Sequence, residues 1–208
     1  MTKVNFVILA AGKGSRMRSA LPKVLHKLSG RSMLGHVVAA VESLGEAKKI
    51  IVTGHGAEQV EQQFKSPTTI FIQQKEQLGT GHAVHMAVPE LCSDAVVIVL
   101  YGDVPLIRPA TIQKILAVVT ESTMGLLTIN LDQPTGYGRI VRNTSGDITE
   151  IIEQKDASVE QLKITEVNTG VLALQSSQLR EWLPKITNNN AQGEYYLTDL
   201  VPIARKAG

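Results

Sequence analysis

Short apolar runs separated by amphipathic stretches organise the first half of the chain. "VNFVIL" (4–9), "KIIV" (49–52), "TIFIQ" (69–73) and "AVVIVL" (95–100) are nearly unbroken apolar segments rich in valine and isoleucine. Runs of this length without alternating polar residues predict strands buried on both faces, as in a parallel sheet. Between them, 33–44 repeats apolar residues at three- and four-residue steps (Met33, Val37, Val38, Val41, Leu44), which predicts a helix with one buried face. Shorter helices are predicted over 57–64 and 80–88. A further one over 110–119 gathers Ile112, Ile115, Leu116 and Val119 on one side. Strand–helix alternation of this kind predicts an α/β, doubly wound layer sandwich.

From residue 138 the pattern changes. "GRIVRNTSGDITEIIE" (138–153) reads as two strands joined by a turn at "TSGD", hence a hairpin. "VNTGVLAL" (167–174) predicts another strand and 176–183 a short amphipathic helix. A polar loop, 187–194, leads into a final helix expected over 195–208. No internal repeat, low-complexity tract or Pro/Gly linker interrupts the chain. One domain over 1–208 with a built-on hairpin region is the expected organisation.

Composition narrows the function classes. A hydrophobic fraction of 43% with 19% charged residues is that of a chain able to bury a core, not of a disordered tail. A net charge of +2 excludes a polyelectrolyte binder, and 4% aromatic residues leave few stacking platforms for nucleic acid. The one cysteine, Cys92, cannot close an internal disulfide, which fits a reducing compartment. It stands in "PELCSDAVV" without a nearby histidine or basic partner, so it reads as a small buried hydrophobe. "VNFVIL" is shorter than the roughly 7–15 residues of a signal peptide's apolar region. No window approaches a membrane span. The expectation is a cytoplasmic protein with no membrane and no nucleic-acid partner.

Local charge is another matter. Directly after the first predicted strand comes "LAAGKGSRMRSALPK" (9–23), with Lys13, Arg16, Arg18 and Lys23 and no acid. It contains no Walker-type G-x-x-x-x-G-K-[ST] string. The dinucleotide pattern G-x-G-x-x-G also fails, because Met17 stands where the third glycine belongs. Ligands of parallel α/β sheets bind beyond the carboxyl ends of the strands, which is where this loop leaves. Gly12 and Gly14 would let backbone N–H groups approach a ligand. Arg16 offers a planar fork for phosphate oxygens and Lys23 a mobile point charge, approached through the fixed φ of Pro22. Polyphosphate binding and a solvated turn both fit the loop taken by itself.

"LYGDVPLI" (100–107) supplies the second clue, since a predicted strand delivers Asp103 at its carboxyl end. Beside a phosphate loop such a carboxylate would hold Mg2+, which takes one or two carboxylates plus substrate oxygens. Alone, Asp103 fits a plain turn equally well. His55 in "TGHG" and His82 in "TGHA" lack spaced partners of metal-ligand type, so turn and helix-start roles are expected for them.

The loop resembles the L-A-A-G-x-G-[ST]-R-M-x(n)-P-K signature of sugar-nucleotide pyrophosphorylases and related nucleotidyltransferases. "EQLGTGHA" (76–83), "YGDVPL" (101–106), "PTGYGRI" (134–140), "VNTGV" (167–171) and "TNNNAQGEYYLTD" (187–199) extend the resemblance, in order, to bacterial N-acetylglucosamine-1-phosphate uridylyltransferases. The resemblance implies a Rossmann-like nucleotidyltransferase fold and Mg2+-dependent transfer from UTP to N-acetylglucosamine 1-phosphate. The products would be UDP-N-acetylglucosamine, a cell-envelope precursor for peptidoglycan and lipopolysaccharide, and pyrophosphate.

It also implies roles for individual residues. Leu9, Ala10, Ala11 and Gly12 would line the uridine side, with Gln74, Gly79 and Thr80 reading the uracil. Lys23 would contact nucleotide and phosphates, and Arg16 would lie over the triphosphate. Tyr101, Gly102 and Asp103 would form the metal-bearing segment. Gly138, Glu153, Asn168, Tyr196 and Thr198 would surround the amino sugar. Arg16, Lys23 and Asp103 are the catalytic candidates, and Asp103 the metal ligand. A glutamine suits a uracil edge, and Glu plus Asn suit hydroxyls and an N-acetyl group. Gln74 and the Glu153/Asn168 pair would separate this activity from that of a relative for another base or sugar 1-phosphate. A nucleotide-sugar binding module with little turnover is the alternative from a different class. In the family the domain continues past the position of Gly208, with a second metal-holding asparagine and then a β-helix domain that carries acetyl transfer and trimer contacts. Those features are expected to be absent from the 208 residues.

Overall fold

The computed structural model describes residues 3–12, 14 and 17–208. Its elements in chain order are β1 (Lys3–Ala10), β2 (Lys27–Leu28), β3 (Arg31–Ser32), α1 (Met33–Glu42), β4 (Lys48–Thr53), α2 (Ala57–Phe64), β5 (Thr69–Gln73) and α3 (Thr80–Ala87). There follow β6 (Ala95–Tyr101), α4 (Pro109–Ala117), β7 (Gly125–Asn130), β8 (Arg139–Arg142), β9 (Ile148–Ile152), β10 (Glu166–Gln175), α5 (Ser176–Trp182) and α6 (Leu200–Ala207).

The central sheet runs β5-β4-β1-β6-β10-β8-β9, with β7 paired to β10. The segment β5-β4-β1-β6 is parallel throughout, with Val7 opposite both Ile50 and Val99. β10 enters antiparallel to β6 through Leu172–Gln175, meets β8 at Val167–Arg139, and carries β7 along its other edge. The predicted hairpin is present as β8–β9. Its turn is held by the Asn143 side chain, which accepts from the N–H groups of Ser145 and Asp147.

Alternation along the strands divides the apolar residues between two cores. Phe6, Ile8 and Ala10 of β1 pack with Val96, Ile98 and Leu100 of β6 against α1 and α4, through Leu34, Val37, Val41 and Ile112. Val7, Leu9, Val97 and Val99 face the other way, onto Val84 and Ala87 of α3, Leu179 of α5 and Leu200 of α6. Burial on both faces is why these strands read as continuous apolar runs and not as alternating ones. No helix among the described residues is long and apolar enough to cross a membrane.

Two added elements and several boundaries differ from expectation. The strand β7 and the small β2–β3 hairpin had no sequence counterpart. The last helix starts at Leu200, not 195, because the backbone of Tyr195 is already committed. Its N–H donates to Leu78 O at 2.8 Å and its carbonyl accepts from Gly81 N at 2.7 Å. Helix α3 stops at Ala87 and tightens into a 3-10 turn where Pro89 follows.

Parallel pairing brings the carboxyl ends of β1, β4, β5 and β6 to one edge. Ala11, Gly54, Gln74 and Tyr101 therefore emerge together. The approach is close: a Cβ on Gly54 would lie 2.9 Å from Ala11 Cα. Gly102 lies under the first strand's end, its N–H donating to Leu9 O at 2.9 Å.

Candidate functional site

A cleft of about 280 Å³ opens along this edge. Leu9, Ala10, Ala11 and Gly12 form one wall with Lys23 and Val24, and Gln74, Gln77, Gly79 and Thr80 form another. Tyr101 and Asp103 close the third side, with Glu194 and Ala83 completing the lining. The structure thus gathers into one cavity every nucleotide-side candidate except Gly102, which lies behind the wall. Arg16, Lys13 and Ser15 fall outside the described residues.

The opening loop shows how its glycines differ. Gly12 has no heavy atom within 4 Å of where a Cβ would be, so its backbone faces open space in the cleft. Gly14, at φ +59°, instead packs against Lys23, whose Cβ would stand 2.6 Å from an added Cβ. Lys23 opens a one-turn 3-10 segment, Lys23–Leu25, anchored by the buried Val24 and Leu25. Its Nζ reaches the Asp103 carboxylate at 2.5 Å, so the loop's cation and the β6 acid meet.

Tyr101 links this cleft to the second predicted group. Burial pushes its phenol far above the ordinary value; Glu153 adds to this, the Thr80 hydrogen bond opposes it, and Asp103 contributes least. The hydroxyl therefore stays protonated and can donate. Gly170 makes room for the ring: it sits at φ +87° in the irregular register between Asn168 and Leu172, and a Cβ there would lie 2.8 Å from Tyr101 Cζ.

The five sugar-side candidates lie outside the cleft lining, and four of them, Asn168, Gly138, Glu153 and Thr198, adjoin one another in that order. Asn168 N donates to Gly138 O at 2.9 Å, and Thr198 Oγ1 to Glu153 Oε1 at 3.4 Å. A Cβ on Gly138 would come 3.3 Å from Glu153 Oε1. The Tyr196 hydroxyl is occupied by Gln192 and Asp156, and Asn168 Oδ1 accepts from Gly170 N. Arg139, next to Gly138 and 1% exposed, has no carboxylate partner among the described residues. Its guanidinium holds the Tyr137 carbonyl and Gln154 Oε1, and the latter also accepts from Gly136 N. The "PTGYG" loop is thereby tied to the hairpin.

Glu153 is held at an electrostatic cost. Burial pushes its carboxyl above the ordinary value, and Asp156, Asp199 and Glu194 add to this against the Thr198 hydrogen bond. A carboxyl whose pKa is raised by folding destabilises the folded state once the pH exceeds the unfolded value, and the full cost is present above the raised one. Glu153→Gln is therefore expected to raise the Tm at pH 7–8. The gain should shrink as the pH falls through the raised value and vanish near the unfolded carboxyl's pKa of about 4.3. Thermal melts across that range check it, and a gain independent of pH would refute it.

Four lining residues are not among the site residues expected from sequence: Val24, Gln77, Ala83 and Glu194. Gln77 had a readable signal, a second amide three residues after Gln74 in the same loop. Glu194 had none, since the 194–197 segment reaches the cleft only by docking on residues 78–81. There Leu197 N also donates to Thr80 Oγ1 at 3.1 Å.

The chain's likeness to known proteins matches this geometry. Residues 6–157 match the MobA-like NTP transferase domain. The chain belongs to that family. This NTP transferase chain is 54% identical over 205 residues to the bifunctional protein GlmU of Cellvibrio japonicus (strain Ueda107). It is 55% identical over 205 residues to that of Burkholderia ambifaria (strain MC40-6). Each match covers 99% of this chain and 45% of the relative, so the chain spans a little under half the length of these curated proteins. Among solved structures, UDP-glucose pyrophosphorylase complexed with UDP-glucose superposes with a TM-score of 0.79 at 17% identity, covering 100% of this chain and 88% of its own. A putative glucose-1-phosphate thymidylyltransferase from Bacillus anthracis gives 0.78 at 20% identity, covering 99% and 84%. At such identities the likeness is one of fold, and it bears out the expected Rossmann-like nucleotidyltransferase architecture.

Proposed function

We propose that this NTP transferase transfers a uridylyl group from UTP to N-acetylglucosamine 1-phosphate, giving UDP-N-acetylglucosamine and pyrophosphate in the cytoplasm. The observation that carries the reading is the meeting of Lys23, Asp103 and Gln74 in one cleft, beside the Glu153–Gly138–Asn168 group. The extended similarity to GlmU proteins supports the choice of substrates. A phosphate oxygen of the sugar phosphate would bond to the α-phosphorus of UTP as the bond to the bridging oxygen breaks. The electron pair would leave with pyrophosphate.

Such a transfer depends on positioning and charge neutralisation and requires no covalent enzyme intermediate. Cys92 precedes β6 and so lies at the strand end opposite the cleft. Lys23 would neutralise the reacting phosphates. Tyr101, protonated, would separate the nucleotide and sugar compartments while donating within them. Gln74 would hold the base.

The donor set fits Mg2+. Among the described residues no group of three His, Cys, Asp or Glu side chains converges to cage a metal. Asp103 stands in the cleft as one hard oxygen donor, and Mg2+ commonly takes one or two carboxylates plus substrate phosphate oxygens. Held by Asp103, the ion would supply positive charge to offset that of the phosphates. Asp103 would hold the ion, and Lys23, whose ammonium stands beside that carboxylate, would contribute its own charge to the phosphates.

Pyrophosphate release tests the reading. With UTP, Mg2+ and N-acetylglucosamine 1-phosphate, turnover is expected well above that with CTP or with glucose 1-phosphate. Equal or greater release with either replacement would overturn the substrate assignment. Binding of UDP-N-acetylglucosamine without any release would favour a binding module.

A further inference from the structure

Gln74 is 3% exposed yet lines the cleft, and its partners settle which way its amide points. One terminal atom lies 3.2 Å from the Gly79 carbonyl oxygen and 2.9 Å from Nδ1 of His82. A carbonyl oxygen only accepts, so that terminal atom is the amide nitrogen. It gives one hydrogen to Gly79 and directs the other at His82. The imidazole must then be neutral, with its proton on Nε2 and a lone pair on Nδ1. Both amide donors are consumed inside the protein. Oε1 accepts from no donor among the described residues, which leaves it for a ligand in the cleft.

The two pyrimidines answer this arrangement differently. Uracil carries a hydrogen on N3, whereas N3 of cytosine is a lone pair. An acceptor held toward that edge pairs with the first and repels the second. A glutamine amide is nearly symmetric in shape, however, and a half turn of its end would offer a donor instead. What prevents the turn is the pair of acceptors behind the amide. Gly79 supplies one through its backbone. His82, from the first turn of α3, supplies the other.

We propose that His82 is a specificity-determining positioning residue. By accepting from Gln74 it keeps an acceptor, not a donor, facing the base, and so selects uracil over cytosine. The proposal rests on the uridylyl reading of the cleft and assigns to His82 a task beyond starting a helix. The residue also lines a separate cavity of about 400 Å³ with Leu78, Leu183 and Ile186, so the ring stands between that space and the amide it orients.

Two substitutions separate the acceptor from the ring's bulk. His82→Phe keeps the shape and removes the lone pair. His82→Asn loses bulk but can place Oδ1 near the former Nδ1. The measurement is kcat/KM for UTP and for CTP in pyrophosphate release. His82→Phe is expected to lower the UTP:CTP ratio about tenfold, the worth of one hydrogen bond, mainly through a higher KM for UTP. His82→Asn should retain most of the ratio. A packing role predicts the reverse ranking, and a ratio kept by His82→Phe or lost equally in both variants overturns the proposal.

Nitrogen NMR of histidine-labelled wild-type protein judges it without any variant. The Nε2–H tautomer is expected for His82, and a proton on Nδ1 would overturn the inference. A wild-type chain that shows no preference for UTP overturns the uridylyl reading and this proposal with it. A wild-type preference that survives His82→Phe overturns the proposal alone.

Discussion

Asp103→Asn is expected to lower pyrophosphate release by about a thousandfold at saturating UTP and sugar phosphate, the scale of losing a preorganised charge partner at a reacting phosphate. The replacement keeps the shape of the side chain and removes the charge that would hold a cation against the phosphates. Misfolding would not account for such a loss. The Lys23–Asp103 pair is short, but its two side chains keep 39% and 28% of their exposure, and pairs this open contribute about 0–1 kcal/mol. For a chain of this size that is a Tm change of at most about 4 °C. Calorimetric UTP binding should also survive, because the wall formed by Leu9–Gly12 and the Gln74–Gly79 side remain in place. A variant that turns over at near-normal rates when Mg2+ is raised would remove Asp103 from the metal site. One that fails to bind UTP would make it a structural residue of the cleft.

The same residues show how far the sequence could be read. β1, β4 and β6 are legible because burial on both faces leaves little choice of residue, and β1 supplies both cores from one run; β5 reads the same way in sequence, yet as the edge strand it is only half-buried. β7 is not: Leu126 and Leu127 are only half-buried, and Ile129 is 48% exposed. Its place depends on β10, where Thr128 Oγ1 donates to Glu166 Oε1, a contact between residues 38 positions apart. In the site, the glycine-bearing loop and Asp103 are visible because each follows a strand directly, and strand ends locate themselves. The segment that brings Glu194 to the cleft is invisible for the opposite reason. "GEYYLTD" looks like a helix start, but the backbone pairing of Tyr195 with residues 78–81 delays the turn to Leu197 and the helix to Leu200. His82 has no spaced metal-ligand partner in the sequence, and its actual partner, an amide eight positions back, is identified only by distance.

That backbone pairing makes Gly79 the position whose alteration should reach furthest into the fold. Gly79 sits at φ +108° and ψ 174°, a region closed to side chains. A Cβ there would stand 2.6 Å from Tyr195 O and 2.8 Å from Tyr195 N, both backbone atoms that cannot turn aside. Gly79→Ala must therefore push the 194–197 segment off residues 78–81. It would strain the bonds from Tyr195 N to Leu78 O and from Gly81 N to Tyr195 O, and shift the Gly79 carbonyl that holds Gln74. Backbone strain of about 1–3 kcal/mol and about 0.5–1.5 kcal/mol for each weakened hydrogen bond sum to roughly 3 kcal/mol or more. At about 2–4 °C per kcal/mol the Tm should fall by roughly 6–12 °C. The KM for UTP should rise more than tenfold while kcat falls much less, because Lys23 and Asp103 lie on other walls. Gly136→Ala is the control: its φ is +90°, yet no heavy atom lies within 4 Å of the added carbon. It carries strain without collision and should cost about 1–2 kcal/mol with little effect on the KM for UTP. Equal losses in the two variants would mean that strain alone governs Gly79, and that the segment from Glu194 to Leu197 does not hold the base-side wall in place.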